Sequence, residues 1–149
     1  MTDAALRALH DRLAVIDRAT QYARNLDRQD WAGFRACFTD QLETDFSDFT
    51  GEPARTAPAD EFVAFDQRIL GGVTTQHLIA NHEVSLDGDQ AVLIADAIAS
   101  HHRPAEAGGG DYDIHGVYRM VMVREAENWK IASVRLSLRW YEGDGDLLR

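Results

Sequence analysis

Residues 73–102 read VTTQHLIANHEVSLDGDQAVLIADAIASHH, two long apolar-rich runs on either side of Asp87-Gly88-Asp89. A short Asp-Gly turn between alternating apolar positions is a hairpin signal, because such a turn takes positive φ values that glycine adopts without strain. Two more runs of the same kind follow, divided by Gly108-Gly109-Gly110 and by Glu125-Ala126-Glu127. The spacing predicts four strands, 73–86, 90–102, 111–124 and 128–141, joined as an antiparallel meander.

Toward the N-terminus the apolar period lengthens to that of a helix. Asp3 to about Arg28 reads as one amphipathic helix, with Leu9, Leu13, Ile16, Thr20, Ala23 and Asp27 along one stripe and Val15, Ala19, Tyr22 and Leu26 along the next. The row Arg7, Asp11, Ala14, Arg18, Gln21, Asn25, Arg28 is the expected solvated face. Asp30 as N-cap predicts a second helix reaching Cys37, with Trp31, Phe34 and Phe38 at apolar spacing. Gln41–Phe49 alternates and predicts a first strand, whereas Thr50–Pro58, with two prolines and a glycine, predicts a loop. Ala59–Leu70 returns to helical spacing through Phe62, Phe65 and Ile69 and stops at Gly71-Gly72. Helices first and a meander afterwards describe an α+β domain whose helical group covers one face of the sheet. A single domain, 1–149, with a frayed tail from Gly143 is expected.

The formal charge of −10 repels phosphate backbones and anionic lipid, so nucleic-acid and membrane partners are not expected and a small neutral or apolar one is. No run of 18 apolar residues and no signal-peptide pattern is present, and with one cysteine no disulfide framework can form. A reducing cytoplasm is the expected compartment. Cys37, flanked by Phe38 and Ala36 with no base nearby in sequence, reads as a small core residue.

An aspartate and several histidines stand where packing alone would not put them. Asp27 continues an otherwise apolar stripe, and a carboxylate there must be paired or protonated unless it is released to water or caps the next helix. On the strands, parity sets His77 on the face of Thr75, Ile79 and Asn81, and His82 on the other. His101 follows Leu93, Ala95, Ala97 and Ala99, a row of small residues that leaves room for a cavity. Parity leaves open which face of the last strand, Ser133-Arg135-Ser137-Arg139 or Val134-Leu136-Leu138-Trp140, lines it. No HxH, HExxH or nucleophile-elbow pattern supports zinc or serine hydrolase chemistry.

The combination YxxxLDxxDW at residues 22–31, HLIANHEVSLDGDQA, a strand ending in Ser100-His101-His102 and a GVYRMVMVREAENWKIA hairpin resembles the SnoaL-like domains of the nuclear transport factor 2-like superfamily. The likeness spans nearly the whole chain and is greatest to the branch with scytalone dehydratase and the bile-acid dehydratases. It implies a cone-shaped barrel, a curved antiparallel sheet wrapped around the helices over a deep apolar pocket. It also implies catalysis by Tyr22, Asp27, His77 and His101 without cofactor or metal. Bile-acid dehydratases carry an acid near the position of His101, and their late-strand arginine corresponds only approximately to Arg139. Trp31, Asn81, Tyr118 and Arg139 are the expected substrate contacts.

The chemistry of those residue types is consistent with this. Neutral His77 can take a proton from carbon beside a carbonyl, and Asp27 can fix its tautomer. Tyr22 can donate to a substrate oxygen, and His101 is expected to protonate the leaving hydroxyl. The expected function is a cofactor-independent lyase or isomerase, of dehydratase or polyketide-cyclase type, for a cyclic, largely apolar carbonyl or phenol. A non-catalytic binding or assembly module with the same cone is the alternative. The apolar row Leu136, Leu138, Trp140 suggests that a homodimer or homotrimer covers it.

Overall fold

In the computed structural model, which describes residues 2–148, helix α1 spans Asp3–Asp27 and begins with the Thr2 hydroxyl accepting the Ala5 N–H. Its buried stripe is Asp11, Val15, Ala19, Tyr22, Ala23 and Leu26. Leu9 and Leu13, expected inside, are about half exposed, and Asp11, expected in solvent, is buried. The helix is turned this way because Asp11 has partners. The Arg124 guanidinium lies 2.8 Å from its Oδ2, and Trp129 Nε1 donates to Oδ1 at 3.4 Å. A paired carboxylate escapes the penalty that an isolated one would meet.

Helix α2 (Trp31–Arg35) is shorter than predicted, with Asp30 capping it by accepting the Gly33 N–H. Strand β1 (Phe38–Asp45) starts three residues early and stops where Asp45 Oδ1 accepts from the Ser47 N–H and hydroxyl, which turns the chain into helix α3 (Ser47–Thr50). The expected loop contains strand β2 (Arg55–Pro58), paired antiparallel with β1. Its prolines hid it, yet an edge strand tolerates a residue that cannot donate to the ladder. Helix α4 (Ala59–Leu70) has its expected bounds, but its buried stripe is Ala59, Val63, Asp66 and Leu70.

Strands β3 (Thr74–Asp87), β4 (Gln90–His102), β5 (Asp111–Glu125) and β6 (Asn128–Gly143) form the antiparallel meander. The sheet order is β2-β1-β6-β5-β4-β3, and β1 runs parallel to β6. The sheet is curved but open, since β2 and β3 keep free edges, so the cone is not a closed barrel. Register shifts interrupt the pairing of β3 with β4 and of β5 with β6, and an unpaired residue at such a place increases local twist. At one of them a Cβ on Gly116 would lie 2.4 Å from the Ser137 carbonyl oxygen, so only glycine lets β5 and β6 approach.

The register shift in β3 overturns the parity argument. Asn81 adopts φ 55°, and the inward set changes from Thr75, His77 and Ile79 to His82, Val84 and Leu86. His77 and His82 therefore share the inner side. The predicted frayed tail is ordered as far as it is described. Gly145–Leu148 form a 3₁₀ turn with Leu147 buried and its carbonyl accepting from Arg103 Nη2 at 2.6 Å; Arg149 lies outside the described residues. No helix among the described residues is long and apolar enough to cross a membrane.

Candidate active site

The last turn of α1 lies against β3, and this contact joins Asp27 to His77. Asp27 Oδ1 is 2.6 Å from His77 Nδ1, and the same carboxylate accepts from the His77 N–H and the Thr75 hydroxyl, each at 2.9 Å. Burial pushes the Asp27 carboxyl up, but the hydrogen bonds from His77 and Thr75 outweigh it and leave its pKa below the usual value. An ionised carboxylate accepts only, so His77 Nδ1 carries a hydrogen, and in the neutral ring the lone pair is on Nε2.

His101, on β4, meets the His77 ring edge to face at 5.9 Å between centroids. Its Nδ1 lies 2.9 Å from the Tyr112 carbonyl oxygen, which can only accept. Burial holds the imidazole below its usual pKa despite that bond, so the neutral ring has its hydrogen on Nδ1 and none on Nε2. In that neutral form the ring carries a lone pair and no proton on Nε2.

Tyr22 and Tyr118 complete the polar wall. Their rings meet edge to face at 5.7 Å and their hydroxyls hydrogen-bond each other. Burial pushes Tyr118 up to about 12 and Tyr22 well above its ordinary value, so both are neutral phenols.

These groups line a cavity of about 160 Å³ between α1, α4 and the concave sheet, walled by Leu26, Phe62, Ile69, Ala99, Ile114 and Leu136. Phe46, Phe62 and Phe65 also border an outer hollow of about 350 Å³ beside β2. Asp66 lines the inner cavity too and was not among the expected site residues. It is 8% exposed, and burial raises its pKa to about 8. The signal was available, because Phe62, Asp66 and Leu70 recur at four-residue spacing, which sets the acid in an apolar row.

The other expected contacts are distributed unevenly. Tyr118 lines the cavity, whereas Trp31 packs edge-on against Phe34 outside it. Asn81 and Arg139 lie on the outer face, where Asn81 Nδ2 donates to Asp96 Oδ2 at 2.8 Å and Arg139 Nη2 is 3.1 Å from Asp96 Oδ1. Both sit at register shifts, which defeat parity. Cys37 is fully buried, and burial pushes its thiol up. Among the described residues no group of three or more His, Cys, Asp or Glu side chains is placed to hold a metal ion.

Comparison with known proteins agrees with this architecture. A dehydratase, AgnL8, from Paecilomyces divaricatus is 27% identical across 85% of this chain and 78% of its own length. A scytalone dehydratase, PfmaJ, from Pestalotiopsis fici is 26% identical across 91% of this chain and 76% of its own. The crystal structure of the Kfla4162 protein from Kribbella flavida superposes with a TM-score of 0.88 at 31% identity, covering 95% of this chain and 99% of that one. Residues 7–135 match the SnoaL-like domain, and the chain belongs to that family.

Proposed function

We propose that this protein is a cofactor-independent lyase that removes water from a cyclic, largely apolar β-hydroxy carbonyl compound, with His77 as general base. The observation that carries this is the 2.6 Å contact between Asp27 and His77 Nδ1, which in the neutral ring leaves Nε2 as the basic nitrogen of a residue that lines the cavity. A base held this way removes a proton beside the carbonyl, and Asp27 stabilises the imidazolium that results. The phenol pair Tyr22 and Tyr118 supplies a donor where charge develops on the carbonyl oxygen. His101 orients the substrate hydroxyl by accepting from it. The names of the two dehydratases support dehydration over isomerisation or cyclisation.

The test uses scytalone as a ring probe, since one relative is named for its dehydration. His77→Ala is expected to lower kcat/KM by about 10³-fold, within the usual worth of a positioned base, with the unfolding midpoint nearly unchanged. Turnover within a few-fold of the parent excludes the base, and loss of the folded state makes His77 a structural residue instead.

The outer face of the sheet exposes Leu78, Ile94, Ile98 and Trp140, the last stacked on His115 at 4.5 Å. This supports a homodimer or homotrimer across that face. Sedimentation at micromolar concentration should show a species larger than 16.7 kDa; a monomer alone removes the proposal.

A further inference from the structure

We propose that Asp66 is the general acid of this cavity, giving its proton to the hydroxyl oxygen that leaves the substrate. The proposal rests on the assignment of His77 as base. It follows from counting hydrogens. The His77 Nδ1 hydrogen is directed to Asp27, and the His101 Nδ1 hydrogen to the Tyr112 carbonyl. In their neutral forms, before any proton is taken from the substrate, both imidazoles therefore carry a lone pair and no proton on Nε2. The two phenols share one of their hydrogens with each other, and burial makes both poor acids. Asp66 remains.

Its position fits the task. Helix α4 fixes it in the row between Phe62 and Leu70, nine-tenths buried at the cavity wall. The titratable groups facing the cavity with it are Tyr22 from α1, His77 from β3, His101 from β4 and Tyr118 from β5, with Asp27 behind His77. Among the described residues no lysine or arginine lines the cavity to hold Asp66 ionised. Burial, the cause of its raised pKa of about 8, keeps it a protonated donor at neutral pH and places its acidity near the working pH, where proton transfer is most effective.

The step balances without a further reactant. His77 Nε2 takes the hydrogen beside the carbonyl, and that electron pair forms the carbon–carbon double bond. The carbon–oxygen bond breaks with its pair, and the oxygen takes the Asp66 proton and departs as water. Imidazolium and carboxylate are left, and a proton passed from His77 to Asp66, through the released water, restores both. An acid at this position selects for hydroxyl as leaving group. A group that departs as a stable anion needs no such proton.

The experiment compares β-hydroxycyclohexanone with its acetate ester, both yielding the same enone. Asp66→Asn should lose about 10²-fold or more on the hydroxy compound and only a few-fold on the ester, whereas His77→Ala should lose both activities. Equal losses for Asp66→Asn on the two compounds, or no loss, overturn the role of Asp66. Retention of both activities by His77→Ala overturns the base while leaving the Asp66 comparison legible. Without substrate, infrared spectra of the parent at neutral pH should show a protonated-carboxyl stretch that Asp66→Asn lacks and that fades as pH rises through about 8. Its absence at neutral pH overturns the proposal whatever the kinetics.

Discussion

Asp27→Asn should lower kcat about 10⁴-fold in a protein that still folds, with KM little changed, because the substitution reverses the polarity of the base. The carboxylate accepts from three donors, the His77 ring, the His77 N–H and the Thr75 hydroxyl. An asparagine oxygen can serve the backbone donor, but its amide NH₂ then faces His77 Nδ1. The imidazole meets a donor by accepting, so its hydrogen moves to Nε2 and the lone pair that attacks substrate is lost. A nitrogen NMR spectrum should show the exchanged tautomer, and activity within tenfold of the parent would refute the argument. The carboxylate also contributes to folding. Its pKa is depressed in the folded state, so its contribution is present above the ordinary carboxylate pKa and is lost as pH falls through the folded value.

Asp66→Asn should have the opposite sign in stability. The folded pKa of Asp66 is about 8 against an ordinary 3.8, so the folded state binds the proton more tightly than the unfolded one. The sign follows directly. Below the unfolded value both states are protonated and burial of the acid costs no ionisation energy. As pH rises toward 8 the unfolded chain releases a proton that the folded chain keeps, and stability falls across that window. About four pH units at roughly 1.4 kcal/mol each give a loss on the order of 5 kcal/mol, a large part of a domain's total stability. Urea unfolding at pH 5 and pH 9 should therefore show the asparagine variant gaining on the parent as pH rises. Parallel curves would mean that Asp66 ionises like an ordinary surface acid. The pair of effects, lost hydroxyl elimination and gained stability, is the trade expected of a residue kept for chemistry.

Much of this was legible in the sequence where local rules act alone. The four long strands were readable to within two residues at either end because alternation and turn residues agree there. Asp27 stood out as a carboxylate in an apolar row. Asp66 carries the same signal, yet no partner in sequence drew attention to it. The sidedness of His82, Asn81 and Arg139 was not legible, because one extra residue in a strand inverts every later position and its site is set by pairing with distant strands. The proton on His101 depends on a carbonyl eleven residues away across a strand pair, which spacing does not reveal.

The C-terminal turn has a practical consequence. Leu148 borders the cavity, and Leu147 before it is clamped by Arg103. A purification tag or fusion partner attached close behind Leu148 would press on the cavity wall. Binding or rate measurements on C-terminally tagged protein would then report the appendage as much as the cavity, and an N-terminal tag avoids that confusion.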